Sequence, residues 1–542
     1  MYRQATSGLF KGMNARVTLV AIIMVAAALA YGAFYTEHLA DVLERMRSTL
    51  NPFLEWYYVL LVAFLLFFMI WLGVGRYKNV RLGGDYEQPE FTFFSWVSML
   101  FAAGTGVGIL FWAVAQPILQ FQENPFIGEG MSPEAARVAM RLTYFHWGLN
   151  GWAIFSFVAL VLAYFAYRRD LPLTVRSGLE PVLGKHNHGI MGDMVDLLAV
   201  FGTVFGIATT LGLGVQQMNA GLSAVFGLKS SVTLQLLITA VIMSVATFSV
   251  VSGVKRGVRL LSEANFWLSI AVVGFMLLFG PTQYLIALTI ESAGDYLQNI
   301  FGMTFHTNAT VTDGWQSEWT VFFWGWWLAW SPFVGMFIAR VSRGRTFREF
   351  VMGVLLVPTV ITIIWIGLFG GTALYHELFG AGGIVQAVDD NVATALFATV
   401  AVMDLGIVGV GLSAVLVVLI ATYLITSANA GTLVINTILA GGDPEPPTAH
   451  RIIWGAVLGM LTAVMLLAGG LETLQSAVIM AALPFSVVVI LMVLGLLKAL
   501  HSERFAARTG SRTEAPREPW ADLDDAGTQP TPVSPDENFR RN

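Results

Sequence analysis

Twelve separate apolar runs, each long enough to cross a bilayer, constrain this 542-residue chain more than any other feature. A crossing takes ~20 residues of helix, because away from water each backbone N–H and C=O must be paired inside the segment. The runs fall at 17–35, 56–74, 92–121, 141–167, 195–226, 233–251, 262–288, 319–339, 350–374, 406–438, 452–468 and 474–497. Only 12% of the chain is charged and its mean hydropathy is +0.69, which excludes a soluble globular domain of this size. The expected fold class is an all-α polytopic membrane protein with 12 transmembrane helices.

Basic residues test the map. Alternate loops carry Arg76, Lys78 and Arg81; Arg168, Arg169, Arg176 and Lys185; Lys255, Arg256 and Arg259; Arg340, Arg343, Arg345 and Arg348; and Arg451. The opposite loops hold only Arg45, Arg47, Arg137, Arg141 and Lys229. This alternation predicts that both termini are cytoplasmic, and it would be scrambled by a miscounted helix. Arg3, Lys11 and Arg16 precede the first run and Ala28-Leu29-Ala30 resembles a cleavage site, but the apolar run continues through it, so a retained first helix is expected. Segments 291–301 and 385–403 read as amphipathic helices at the outer interface. The proline-bearing stretch after Lys498 reads as a disordered tail. There is no cysteine and no HExxH, which excludes disulfides, thiolate chemistry and that type of metal enzyme.

Two runs carry interruptions. Ala102-Ala103-Gly104-Thr105-Gly106-Val107-Gly108 places three glycines at alternate positions, each costing about 1 kcal/mol against alanine in a helix. A local break is expected there, and unwound backbone inside a membrane occurs where it lines a cavity or is buried by protein. Trp330-Ser331-Pro332 is expected to interrupt the eighth run, since proline leaves a carbonyl unpaired. Runs three and eight each open a group of five, the arrangement of an inverted-repeat transporter with a midplane site.

The tryptophans point to the ligand. Trp147, Trp152 and Phe155 lie in the fourth run, and Trp324, Trp326, Trp327 and Trp330 in the eighth. Trp152 and Phe155 share a helix face, as do Trp327 and Trp330. Interfacial belts explain Trp56, Trp71 and Trp319, but not indoles well inside a span. A quaternary ammonium or tertiary sulfonium has no N–H to donate and is held by ring faces at ~0.5–2 kcal/mol each. The third, fourth, eighth and tenth runs contain no Asp or Glu, which fits an onium rather than a primary amine.

Phe101-Ala102-Ala103-Gly104-Thr105-Gly106-Val107-Gly108 and the long stretch Trp324-Gly325-Trp326-Trp327-Leu328-Ala329-Trp330-Ser331-Pro332-Phe333-Val334-Gly335-Met336-Phe337-Ile338-Ala339-Arg340 resemble the betaine/choline/carnitine transporter family. The resemblance implies a LeuT-like five-plus-five inverted repeat behind two N-terminal helices. Residues 1–90 would hold those helices, 91–290 and 317–499 the repeats, 291–316 an outer connection and 500–542 the cytoplasmic tail. It also implies a homotrimer in the bacterial inner membrane. The family's aromatic box maps onto Trp147, Trp152, Phe155 and Trp327, with Trp330 beside it and Trp326 lower on the exit path. The backbone of Ala103, Gly104, Thr105, Gly106, Val107 and Gly108 would face the substrate's carboxylate. Choline carriers of the family tend to have an acid at the last of these positions, so Gly108 favours a zwitterion such as glycine betaine or dimethylsulfoniopropionate.

The resemblance further implies sodium as coupling ion, at Ala102, Thr105, Tyr423, Thr426 and Ser427, with no other cofactor and no nucleic-acid partner. Asn429 and Gln116 stand where acids are common in the family. For a second sodium, Thr203, Thr209 and Thr210 are the available hydroxyls. The alternative is a proton-coupled choline or carnitine transporter of the same family, with His146 as the titrating group; a histidine at that depth also reads as a hydrogen-bonded structural residue. The tail lacks the strongly basic helix of osmosensing relatives.

Overall fold

The computed structural model describes residues 4–8, 10–104, 106–251, 255–310 and 314–509, with backbone alone at 101–104, 250–251, 255–260 and 504–509. Apart from three isolated bridges, the regular elements among the described residues are helical. The first two helices, α1 (Ala15–Phe34) and α2 (Thr36–Val74), meet at Tyr35. The third run is divided into α3 (Phe93–Gly104) and α4 (Val107–Gln122). Neither piece is long enough to cross alone, so among the described residues eleven helices qualify by length and composition where twelve crossings were expected. Thr105, at the break, lies outside the described residues. The fourth run is divided as well, into α5 (Pro133–Trp147) and α6 (Leu149–Ala163), followed by a π-turn at Tyr164–Arg168. A short α7 (Glu180–Leu183) leads to α8 (Ile190–Phe226), α9 (Val232–Val251) and α10 (Lys255–Phe279).

Several expected boundaries move. The seventh run, read as 262–288, stops at Phe279, where the Gly280 amide closes the last turn on Met276 and Pro281 has no N–H to extend it. The outer helix expected at 291–301 is therefore the second half of α11 (Thr282–Thr304). Beyond it lie a π-turn (Ser317–Val321), α12 (Phe322–Val341) and α13 (Phe347–Phe379), then α14 (Ile384–Asp390) and α15 (Ala395–Val402), which divide the second outer segment. The chain ends with α16 (Ile407–Leu439), α17 (Thr448–Leu467) and α18 (Leu471–Thr509). Helix α18 runs past Lys498 to Thr509, so the tail begins later than expected. Residues 510–542, on which the expectation of disorder falls, lie outside the described residues.

The predicted interruption of the eighth run is not there: α12 is continuous through Pro332. A proline deprives the carbonyl four residues earlier, here that of Leu328, of its helical donor. The Ser331 hydroxyl donates to that carbonyl at 2.7 Å, which repairs the defect from the neighbouring position. The broken helices are the third and the fourth, not the third and the eighth.

Burial separates centre from rim. In the apolar windows of 133–168, α8 and 317–341 at least 83% of residues are buried, against 28% or less in those of α1, α9 and α10. Helix α12 packs along α6 and crosses α8, while α4 is wedged among α5, α8 and α13. The α8–α12 approach depends on Gly202 and Gly206, where a Cβ would come within 3.1 and 3.2 Å of the Ala329 and Trp330 backbone. One loop contact joins the two halves of the chain. Segment 78–82 pairs with 344–348 through Gly344 N to Leu82 O (2.7 Å), Leu82 N to Arg345 O (2.8 Å) and Phe347 N to Val80 O (2.8 Å). Arg343 closes the same contact by an ion pair to Glu87.

Candidate functional site

The central aromatic cluster is organised by the break between α5 and α6. At Gly148 the backbone turns to φ −96°, ψ −141°, and the Leu149 amide donates to the Tyr296 hydroxyl at 3.0 Å. In a continuous helix the carbonyls of His146 and Trp147 would be taken by amides one turn on. The break releases them to other donors. Trp327 Nε1 donates to His146 O at 3.0 Å, and Thr362 Oγ1 donates to Trp147 O at 3.2 Å. A sequence-distant indole is thus pinned to the broken turn.

The structure brings the predicted rings together. Trp147 meets Trp327 edge to face at 4.9 Å and 76°, and Phe155 meets Trp327 at 5.5 Å and 66°. Trp152 stands at 5.4 Å and 66° to Phe155, and Trp330 at 5.9 Å and 78° to Phe155. Near-perpendicular neighbours form corners, whereas parallel ones would fill the space between them. Trp326 differs from the others. It lies nearly parallel to Phe322, Trp327 and Trp330, at 19°, 18° and 25°, and Trp147 stands across it, at 88°.

A chain of hydrogen bonds runs behind the box. Trp147 Nε1 donates to Gln116 Oε1 at 3.1 Å, Gln116 Nε2 lies 2.7 Å from His146 Nδ1, and His146 Nε2 lies 3.1 Å from Thr320 Oγ1. An indole N–H only donates, so the Gln116 oxygen must face Trp147 and its NH₂ must face the histidine. Nδ1 then accepts, the ring is neutral, and its proton sits on Nε2 toward Thr320. Phe323 stacks on the imidazole at 4.8 Å and 13°. His146 is fully buried, and both of its ring nitrogens have hydrogen-bond partners.

Of the glycine motif, Ala103 and Gly104 end α3, Thr105 lies outside the described residues, and Gly106 precedes Val107 and Gly108 in the first turn of α4. The α4 N-terminus has no side-chain cap, so its first amides have no partner within the helix. A Cβ on Gly108 would lie 2.8 Å from Trp326 Cη2 and 3.4 Å from Trp147 Cη2. Of the proposed ion ligands, Ala102 is in the last turn of α3 and Ser427 is half-buried on α16. Tyr423 and Thr426, also on α16, engage α10: the Tyr423 hydroxyl is 2.9 Å from Ser269 Oγ, and Asn265 Nδ2 donates to Thr426 Oγ1 at 3.4 Å. Thr426 Oγ1 also bonds back to the Thr422 and Tyr423 carbonyls, each at 3.0 Å. Thr203 and Thr210 likewise bond to their own helix, while Thr209 bonds to its own helix and to Leu474 O.

Residues 16–505 match the family model described as BCCT, betaine/carnitine/choline family transporter. The chain belongs to this family. It is 41% identical over 497 residues to a glycine betaine transporter of Acinetobacter baylyi, covering 92% of this chain and 74% of that one. It is 39% identical over 481 residues to an ectoine/hydroxyectoine transporter of Virgibacillus pantothenticus, covering 89% and 95%. A high-affinity choline transport protein of Escherichia coli matches at 39% over 466 residues, covering 85% and 68%. The protein is a multi-pass membrane transporter and not an enzyme.

Sequence reasoning about this BCCT transporter missed Thr320, Phe323 and the Gly148 break, and it noted Gln116 only for not being an acid. A signal was available for two of the polar groups. Gln116 and His146 are intramembrane polar side chains, which need partners by default. Nothing in the sequence pairs them with each other.

Proposed function

We propose that this BCCT transporter takes up a zwitterionic onium solute, of the glycine betaine or dimethylsulfoniopropionate type, by sodium-coupled alternating access. The observation that carries this reading is the set of perpendicular rings, Trp147, Trp327, Phe155 and Trp152, assembled from α5, α6 and α12 around the Gly148 break. A cation held against the faces of such rings at ~0.5–2 kcal/mol each would gain a few kcal/mol with no counter-charge. Gly108 offers no acid to balance a bare cation, which argues for a solute that brings its own carboxylate. Relatives named for glycine betaine and for ectoine, both carboxylate-bearing, are consistent with it.

Sodium would sit between the broken third span and α16. A hydroxyl that donates to its own helix keeps oxygen lone pairs for a cation, so the Thr426 back-bonds are compatible with that role. Asn265 holds one of those lone pairs here and leaves the other for a cation. Ion and substrate would favour the same conformation and so couple reciprocally. The five-plus-five repeat, a homotrimer, the inner membrane and cytoplasmic termini belong to the same proposal. Proton coupling through His146, as in a choline or carnitine carrier, is disfavoured by geometry. A proton on Nδ1 would confront the Gln116 NH₂ at 2.7 Å.

The test is uptake of radiolabelled glycine betaine into proteoliposomes. Uptake is expected to need an inward sodium gradient and to be abolished in Trp327→Ala. Uptake unchanged without sodium would remove the coupling, and near-normal uptake by Trp327→Ala would remove the box.

A further inference from the structure

The turn at Gly148 leaves a backbone donor that its own helix does not serve. In a continuous helix the Leu149 amide would bond to the Phe145 carbonyl, one turn back. Here it donates instead to the Tyr296 hydroxyl at 3.0 Å, so its partner comes from another helix, α11. Tyr296 is fully buried. A Cβ on Gly148 would lie 2.8 Å from its hydroxyl oxygen, so a side chain there would push the phenol away.

Further contacts hold α11 against this turn. Asp295, beside Tyr296 in the chain, pairs with Arg137 at 2.9 Å and Arg141 at 3.4 Å, two α5 residues one turn apart. Asn299 Nδ2 donates to the same carboxylate at 2.9 Å. On the α6 side of the break, Asn150 Nδ2 donates to Thr304 Oγ1 at 3.0 Å. From behind, Gly367 of α13 makes room for Thr289 of α11, whose hydroxyl a Cβ there would strike. One helix thus grips the chain before and after Gly148.

The joint between α5 and α6 can satisfy its backbone in two ways. With the Tyr296 hydroxyl in place the turn stays open, and the carbonyls of His146 and Trp147 receive Trp327 Nε1 and Thr362 Oγ1. Without that hydroxyl the Leu149 amide is left unpaired inside the bundle, which is costly. Closing the turn toward a continuous helix relieves it. Closure returns the His146 carbonyl to the Asn150 amide and so takes it from Trp327.

We propose that Tyr296 is a positioning residue for the binding box: its hydroxyl, carried by α11, holds the α5–α6 joint open and thereby keeps the Trp327 indole in place. The proposal rests on the reading of Trp147, Trp152, Phe155 and Trp327 as the box that takes the substrate. It makes the seating of α11, a helix that supplies no ring to that box, a determinant of the box's shape.

The test is a double-mutant cycle on purified full-length protein, with glycine betaine affinity as the first readout. Tyr296→Phe is expected to weaken binding about tenfold. Leu149→Pro removes the amide that the hydroxyl serves. Proline is tolerated at the first position of a helix and not inside one, so this change also keeps the joint open. In the Leu149→Pro background, Tyr296→Phe is expected to change affinity by less than about twofold. An equal loss in both backgrounds would assign Tyr296 to packing alone and overturn the proposal. The second readout needs no ligand. It is the indole ¹⁵N–¹H resonance of Trp327, assigned by its absence from the spectrum of Trp327→Phe. This resonance is expected to move upfield in Tyr296→Phe, as the bond to the His146 carbonyl is lost, and to return in the double variant. An unmoved resonance in Tyr296→Phe would also overturn the proposal. Wild-type protein that binds no glycine betaine would instead overturn the reading of the box, and the resonance would still decide the role of Tyr296.

Discussion

His146 touches both principal walls of the box without contributing a ring to it. Its carbonyl holds the Trp327 indole, and its imidazole is held by Gln116, which in turn holds Trp147. The pose of two aromatic walls therefore depends on one amide. Gln116→Leu would leave the Trp147 N–H and His146 Nδ1 buried without partners, at about 1–3 kcal/mol each. Glycine betaine affinity is expected to drop about tenfold or more, with a lower melting temperature. Gln116→Glu can still accept from Trp147 and can also accept from a proton moved to Nδ1, so its affinity should stay much closer to wild type. Titration calorimetry on the two variants checks the contrast. Equal losses would mean that Gln116 matters for packing alone.

At the scale of the element, α12 shows how a proline is carried through a membrane helix. Ser331 supplies to Leu328 O the bond that Pro332 withholds. Ser331→Ala is expected to destabilise the protein by about 1 kcal/mol. In a Pro332→Ala background the backbone N–H is restored and the same change should cost clearly less. A double-mutant cycle by thermal unfolding measures the coupling, and additive effects would show that the hydroxyl does not repair the helix. The contrast with the third and fourth spans is instructive. Glycine at 104, 106 and 148 offers no side chain to repair a break, and there the chain does separate into two helices.

The whole molecule is tied across its two halves by the pairing of 78–82 with 344–348 and by the Glu87–Arg343 ion pair. Burial alone would raise the Glu87 carboxyl, but the Gly84 amide and the Arg343 guanidinium outweigh it and hold it below its ordinary value. A carboxyl depressed in the folded state adds stability above its unfolded pKa, near 4, and that contribution is lost as pH falls through the lower folded value. The pair is partly exposed, 49% at Arg343 and 28% at Glu87, so its worth is at most about 1 kcal/mol. Glu87→Gln is expected to lower the melting temperature slightly at pH 7 and to converge on wild type as pH falls through the lowered folded value of the carboxyl. A difference that stayed constant across this range would exclude the charge as its source.

The all-helical membrane-spanning class, the glycine break of the third span and the aromatic residues that cluster around Trp327 were legible in the chain itself. Each depends on local composition: apolar length, glycine density and aromatic spacing all act within a turn or a span. The Trp327–His146 bond, the Gln116 relay, the repaired proline and the break at Gly148 were not legible. They are settled by which helix lies against which, and by a tyrosine and a serine placed to take up freed backbone groups. Trp326 shows the division most clearly. Its place in a tryptophan-rich helix is read from the chain, but only the packing sets Phe322, Trp327 and Trp330 nearly parallel to it and brings Gly108 to its edge. A sequence specifies which groups are present, and a tertiary structure specifies which of them remain unpaired.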